Sequence, residues 1–227
     1  MFFASYGSFI HELTGLFLSG QITRDETVNR YLIGFAGKTA GKTPSADIRL
    51  NYFRQGLKYL SSLTPEPGKI LGVEEPVSYS IGQYPFIGFI DLVTIDPEGN
   101  LVITDHKSRT LKPRSSRKNP TASDRELDAY LRQLYLYSIP VSRLYGRTPD
   151  RLVFNCYRSG LKIVEPFNGR ALKEAIVWAS DSVQSIIATE EWRPNMDYFQ
   201  CNYLCSERDQ CEYFALSGFG GDRHKSG

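Results

Sequence analysis

The sequence predicts an α/β fold with a central sheet covered by helices on both sides. Three observations lead there. An apolar hairpin occupies residues 86–107, in the middle of the chain. Apolar stripes at helical spacing lie before and after it. Short strand-like runs then recur at 151–157 and 161–165, beyond a helix, so helix and strand alternate.

The chain has 227 residues, enough for one sizeable core and a small appendage. We expect one domain over 1–197, with helices to residue 63 and sheet and helices over 69–190. A cysteine-rich element over 198–214 and a flexible tail over 215–227 should follow. A hydrophobic content of 41% and a charged content of 23% are ordinary for a soluble globular protein. The net charge of +2 does not announce a polyanionic partner, so such a partner must be read from local clustering. No apolar run is long enough to span a bilayer, and no membrane partner is expected. The opening MFFASYGSFIHEL lacks the basic region of a signal peptide, so the expected compartment is the cytoplasm.

Residues 8–19 read as a helix, with Phe9, Ile10, Leu13, Leu16 and Phe17 on one stripe and Ser8 or Ser5 as its cap. His11 lies beside that stripe. A lone histidine there is either a boundary residue with a solvent or backbone partner or a metal ligand. Residues 21–62 are helical with an interruption at 37–45. GKTAGKT in that interruption is not a phosphate-binding loop: only three residues separate Gly37 from Gly41, and no strand precedes it. Residues 69–79 form the first strand of a meander, ending in a turn near Gly82. Glu74 on it either points toward the hairpin's acids or sits in a surface salt bridge.

Turn chemistry at Asp96-Pro97-Glu98-Gly99-Asn100 joins the two strands of the hairpin. Centred on Glu98, the pairing sets Ile95 opposite Leu101, Val93 opposite Ile103 and Asp91 opposite Asp105, with Lys107 on the same face. Ile87, Phe89, Val93, Ile95 and Ile103 should share one face; Phe86, Ile90, Leu92 and Val102 should share the other. Apolar residues on both faces mark strands covered on both sides. Two carboxylates side by side in such a place repel and lose hydration, and a divalent cation repairs both problems. Otherwise the register slips and Lys107 pairs with one acid. A shared buried face favours the metal site.

The segment after Lys107 holds Arg109, Lys112, Arg114, Arg117 and Lys118 with no acid before Asp124. It is either a solvated loop or a phosphate-contacting one, and its exit from the candidate metal strand favours the second. Residues 124–138 form a helix with an acidic start and a stripe of Leu127, Tyr130, Leu131, Leu134 and Tyr135. Gln133 and Tyr137 share a neighbouring face, and Pro140 ends or bends the helix. Two short strands turn at Arg158-Ser159-Gly160, with Cys156 a buried thiol, and residues 169–189 are helical. Cys201, Cys205 and Cys211 follow as C-x3-C-x5-C, a cluster that in a cytoplasmic chain points to metal rather than disulfides. Three thiols are one short of a closed four-ligand site.

Together these residues resemble the RecB-type branch of the PD-(D/E)XK nuclease superfamily. The marks are GSFIHEL around His11, GFID ending at Asp91, Asp105-His106-Lys107, the Q-x3-Y element Gln133–Tyr137, and the cysteine triplet. Any one is common; five in this order are specific. The resemblance implies a restriction-endonuclease-like three-layer α/β/α fold with a mixed sheet. It implies a Mg²⁺- or Mn²⁺-dependent DNA nuclease of exonuclease type, acting in recombination, repair or phage replication beside a helicase or recombination protein. A non-catalytic DNA-binding scaffold is the alternative. His11, Asp91, Asp105 and the His106 carbonyl would hold the metal, with Glu74 at a commonly acidic position. Lys107 would orient the attacking water, acting as a fixed cation or a proton acceptor, and Gln133 and Tyr137 would contact DNA. Relatives with the cysteine triplet usually place a fourth cysteine on a helix before the histidine element, and the four hold a [4Fe–4S] cluster. That helix is absent here, since Met1 lies ten residues before His11, so the ligand set is incomplete. Either the reading frame is shortened or the cluster is lost, and Cys156 reads first as a core thiol and only second as a replacement ligand; an iron–sulfur cluster, a structural zinc with another ligand and an empty triplet stay open, in that order.

Overall fold

The computed structural model describes residues 1–218. Three helices come first: α1 (Phe2–Leu18), α2 (Arg24–Lys38) and α3 (Ala46–Ser61). The meander β1 (Lys69–Ile81), β2 (Tyr84–Ile95) and β3 (Leu101–Lys107) follows. Next come α4 (Ala122–Tyr145), β4 (Arg151–Cys156), β5 (Leu161–Pro166) and α5 (Gly169–Ala188). The sheet order is β1-β2-β3-β4-β5. Every neighbouring pair is antiparallel except β3 with β4, which is parallel. That exception follows from α4, the crossover helix a parallel pair requires. The sheet is therefore mixed, as expected.

Two cores sandwich it. Ile90, Val93, Ile103 and Phe154 face Leu127, Leu131 and Leu134 of α4, and Ala175 and Ala179 of α5 join them. The second core is aromatic and belongs to the N-terminal helices: Phe2, Tyr6, Phe9, Tyr31 and Phe35, with Tyr157 reaching in from the end of β4. Gly56 on α3 lets these helices close, because a Cβ there would run into the Tyr31 hydroxyl.

Several elements differ from the sequence reading. Helix α1 begins six residues before the expected Ser8, and no side chain caps it. Phe2 and Tyr6 are fully buried in the aromatic core, and that burial carries the helix back to the chain's start. Helix α4 passes through Pro140 to a left-handed cap at Gly146. Val141, just beyond the proline, is completely buried, so packing outweighs the lost backbone hydrogen bond.

The hairpin is not covered on both sides throughout. Phe86 and Ile90 pack in the α4-side core together with Val93, Ile95 and Ile103, so the expected division of faces does not hold along β2. Ile87 and Phe89 are 86% and 62% exposed. The reason is topological: β2 pairs with β3 only over Leu92–Ile95. From Ile90 to Tyr84 it pairs with β1 alone, and this arm is packed on one face.

After α5 the chain forms a π-helical turn (Gln200–Leu204), a 3₁₀ turn (Arg208–Gln210) and a short helix α6 (Glu212–Leu216). Phe199 packs 5.5 Å from Phe3 and ties this end to α1. The expected tail boundary at 215 therefore falls within α6, and residues 219–227 of that tail lie outside the described residues.

Candidate active site

The hairpin register is as read near the turn, with Ile95 opposite Leu101 and Val93 opposite Ile103. Pairing stops at Leu92 opposite Thr104, one step short of the expected Asp91–Asp105 pair. Instead, Asp91 Oδ2 accepts the backbone N–H of His106 at 2.6 Å. The carboxylate replaces the main-chain partner that the diverging strand no longer supplies.

Helix α1 delivers His11 to this point. Its Nδ1 lies 3.5 Å from Asp91 Oδ1 and 3.6 Å from Glu74 Oε1, and its Nε2 lies 2.9 Å from the His106 carbonyl oxygen. Ligand atoms of His11, Glu74 and Asp91 all come within 4.8 Å of one another. Glu74 reaches the group from β1 with φ of 49°, a left-handed backbone that costs a non-glycine residue about 1–3 kcal/mol. Gly15 gives it room, since a Cβ there would press the Glu74 side chain at 3.1 Å.

Asp105 stands outside this trio, 5% exposed, and faces Lys107. The Lys107 ammonium lies 3.0 Å from Asp105 Oδ1, 2.9 Å from Oδ2 and 3.0 Å from Gln133 Oε1 on α4. The Gln133 amide in turn donates to the Tyr137 hydroxyl at 3.2 Å. Tyr130 and Phe154 rings sit 5.5 and 5.9 Å from the ammonium. Gln133 and Tyr137 thus form a chain that holds the lysine, a positioning role the helical spacing alone did not reveal. Gly88 makes room for it, because a Cβ there would meet the Tyr137 ring at 2.9 Å.

Burial and charge set the protonation states. Burial alone would lower the His11 imidazole, but its hydrogen bonds to Asp91 and Glu74 and their charges outweigh that and push it up to about 10. Burial raises Asp91, and the His11 contact more than reverses this, leaving it below its ordinary value. Burial raises Asp105, the Lys107 ammonium lowers it and the Asp91 charge raises it again, for a result of about 6. The His106 ring, fully enclosed, is pushed down to about 4 and stays neutral. Its Nδ1 meets the Asn155 amide at 3.0 Å, its ring stands 6.0 Å edge-on to the His11 ring, and its carbonyl oxygen is the atom that meets His11 Nε2.

These residues fit a hard divalent cation. Carboxylate and carbonyl oxygens with one imidazole suit Mg²⁺ or Mn²⁺. Asp105 Oδ2 is buried and, although the ammonium is close, has no well-aligned hydrogen-bond donor. A bound cation must displace the His11 proton, so binding should release a proton and tighten as pH rises. Without metal, the raised His11 value contributes stability that is complete below about 6.5 and lost as pH rises through about 10. Asp105 has the same sign but acts lower, between 3.8 and about 6. The metal-free melting midpoint should therefore fall between pH 6.5 and 10, and His11→Asn should flatten that fall; a thermal melt series in EDTA checks it.

The basic segment is only partly available. Arg109 pairs with Glu126 at 2.6 Å, and Arg114 bridges Asp128 at 2.7 Å and Glu165 at 3.2 Å. These partners, Asp128 first, raise Arg114 well above its ordinary value. Lys112, Arg117 and Lys118 are exposed, and among the described residues no ion pair involves them. The segment is also pinned. Leu111 is 1% exposed, and Asp124 accepts from the backbone and side chains of Ser115 and Thr121. Those bonds, Ser115 first, hold Asp124 far below the usual carboxylate range.

The cysteines do not form a single-ion site. Cys201, Cys205 and Cys211 are half-buried free thiols, and among the described residues only His11, Glu74 and Asp91 gather to single-ion distance. Cys156 is buried in the core, as its apolar run implied.

Comparison with known proteins adds one finding. The family model of the PD-(D/E)XK nuclease superfamily matches residues 3–212. No curated protein matches this sequence. The mixed five-stranded sheet with flanking helices agrees with the restriction-endonuclease-like fold, and no described helix is long and apolar enough to cross a membrane. With the matched region covering α1 through the start of α6, the chain belongs to the PD-(D/E)XK nuclease superfamily.

Proposed function

We propose that this protein is a Mg²⁺- or Mn²⁺-dependent deoxyribonuclease of RecB type that hydrolyses phosphodiester bonds, working from DNA ends as an exonuclease. The observation that carries the reading is a lysine clamped between a buried aspartate and a glutamine beside a His/Glu/Asp cluster. Asp91, Asp105, Glu74, His11 and the His106 carbonyl hold the divalent ion. Such an ion polarises the phosphoryl oxygen and lowers the pKa of water. An ammonium has three donors. Asp105 and Gln133 take two from Lys107, leaving a third for the attacking water or a phosphate oxygen. Gln133 and Tyr137 act first by holding that ammonium and second by contacting the DNA strand. Lys112, Arg117 and Lys118 bind flanking phosphates, and Arg109 joins them when its pair with Glu126 opens. Arg114, tied to two acids, shapes the loop.

Residues 1–197 form the nuclease domain in this reading. The protein works in the cytoplasm, in recombination, repair or phage replication, beside a helicase or recombination protein. Cys201, Cys205 and Cys211 supply three of the four ligands of a [4Fe–4S] cluster, whose fourth ligand comes from outside the triplet; such a cluster is wider than one ion and so spreads its thiolates further apart than a single-ion site. Anaerobically purified protein should then show the visible absorption of iron–sulfur; colourless, iron-free protein removes this part of the proposal.

The central test is incubation of labelled linear and single-stranded DNA with each ion. Cleavage that Lys107→Ala abolishes is the expected result. Absence of cleavage with both ions leaves a DNA-binding scaffold as the better reading.

A further inference from the structure

The arm of β1 and β2 that outruns β3 has one packed face and one open face. Val77, Tyr79, Ile81, Phe86 and Ile90 belong to the α4-side core. The open face pairs Pro76 with Phe89, Ser78 with Ile87 and Ser80 with Pro85. No charge lies among these six residues, and its two large side chains are the exposed Phe89 and Ile87. Ile87 and Phe89 share the face opposite Ile90, and Asp91, which turns to His11, follows Phe89 by two residues, where β2 leaves that alternation. At about 3.3 Å per residue, Phe89 lies roughly 7 Å and Ile87 roughly 13 Å along the strand from the acid.

We infer that this face is a stacking platform for the unpaired nucleobases next to a phosphate bound at the candidate metal site beside Asp91, which makes single-stranded DNA, or a frayed end, the substrate. The inference rests on the nuclease reading and names its substrate class. An uncharged aromatic and aliphatic pair suits the faces of bases, whereas phosphates need cations, which lie on the separate segment after β3. A strand with its bases unstacked spaces nucleotides more widely than the roughly 3.4 Å of a stacked strand, so successive bases can meet Phe89 and Ile87 in turn. Duplex DNA keeps its bases paired inside and offers this face nothing. A second copy of the chain is the other occupant such a face could take, and the test includes it.

The full-length protein is assayed with Mn²⁺ on a single-stranded oligonucleotide and on a blunt duplex of the same sequence. Phe89→Ala should raise KM on the single strand by roughly 5- to 150-fold, the range expected for losing one stacked base, with kcat little changed. Phe89→Trp should restore KM, and an abasic nucleotide at the contacted position should cancel the difference between wild type and Phe89→Ala. Unchanged KM overturns the platform. The cleavage-independent readout is 2-aminopurine scanned along the oligonucleotide. Wild type should quench it at one or two adjacent positions, and Phe89→Ala should not. If wild type cleaves nothing, the nuclease reading fails, and the quenching still decides the platform: no quenching at any position overturns it. A wild-type dimer that Phe89→Ala dissolves in size-exclusion chromatography assigns the face to a second copy and also overturns it. Unchanged melting of Phe89→Ala, expected for an exposed side chain, keeps misfolding out of the comparison.

Discussion

Replacing Lys107 with alanine should lower kcat by about 10²–10³-fold or more, the usual cost of deleting one preorganised donor at developing charge. The ammonium is held by Asp105 and Gln133, and Gln133 is held by Tyr137, so its position is set before substrate arrives. An interaction made mainly in the transition state appears in kcat rather than KM. Single-turnover cleavage with saturating Mn²⁺ makes the measurement. Asp105 has its own response: without the ammonium that lowers it, its carboxyl should move up from about 6, and metal-free variant protein should hold that proton to higher pH. Lys107→Arg should not rescue, because a guanidinium cannot occupy the same clamp as a compact ammonium. Near-normal turnover in Lys107→Ala would remove the lysine from the chemistry.

Converting Asp91 to asparagine should weaken Mn²⁺ binding by more than the ~10–100-fold typical of an outer-shell change, and cleavage should fall in step. The substitution is close to isosteric and keeps an oxygen to accept the His106 N–H, so the junction of β2 and β3 should survive. What it removes is charge. The Asp91 hydrogen bond is the largest influence raising His11, so the imidazole should titrate well below about 10 in the variant. Mn²⁺ binding should then release fewer protons near neutral pH. Calorimetry in buffers of different ionisation heat reads affinity and proton release together. Wild-type affinity with wild-type proton release would show that the cation does not sit at Asp91.

Much of this centre was legible along the chain. The turn at Asp96–Asn100 and the alternation beside it give the register near the turn, because both depend on neighbours only a few residues away. Lys107 beside Asp105 follows from the same period of two, and Gln133 above Tyr137 from helical spacing. The legibility ended where strands part company. The register at Leu92–Thr104 could be extended on paper to Asp91 and Asp105, yet β2 parts from β3 there and a carboxylate takes up the His106 amide instead. Glu74 was ambiguous because nothing in KILGVEEPVSY announces a left-handed backbone at a glutamate. Arg109 and Arg114 read as available cations because their acidic partners, Glu126, Asp128 and Glu165, lie on other elements.

By itself, then, the sequence determined the α/β character, the central hairpin, the lysine with its neighbouring aspartate and the spacing of the glutamine and tyrosine. All of these are consequences of local period and turn chemistry. Only the tertiary structure decided that His11 and Glu74 close on Asp91, that Gln133 holds the lysine, and that Phe89 stays open to solvent. Those outcomes depend on which helix covers which part of the sheet and on where one strand outruns the next. Long-range packing sets both.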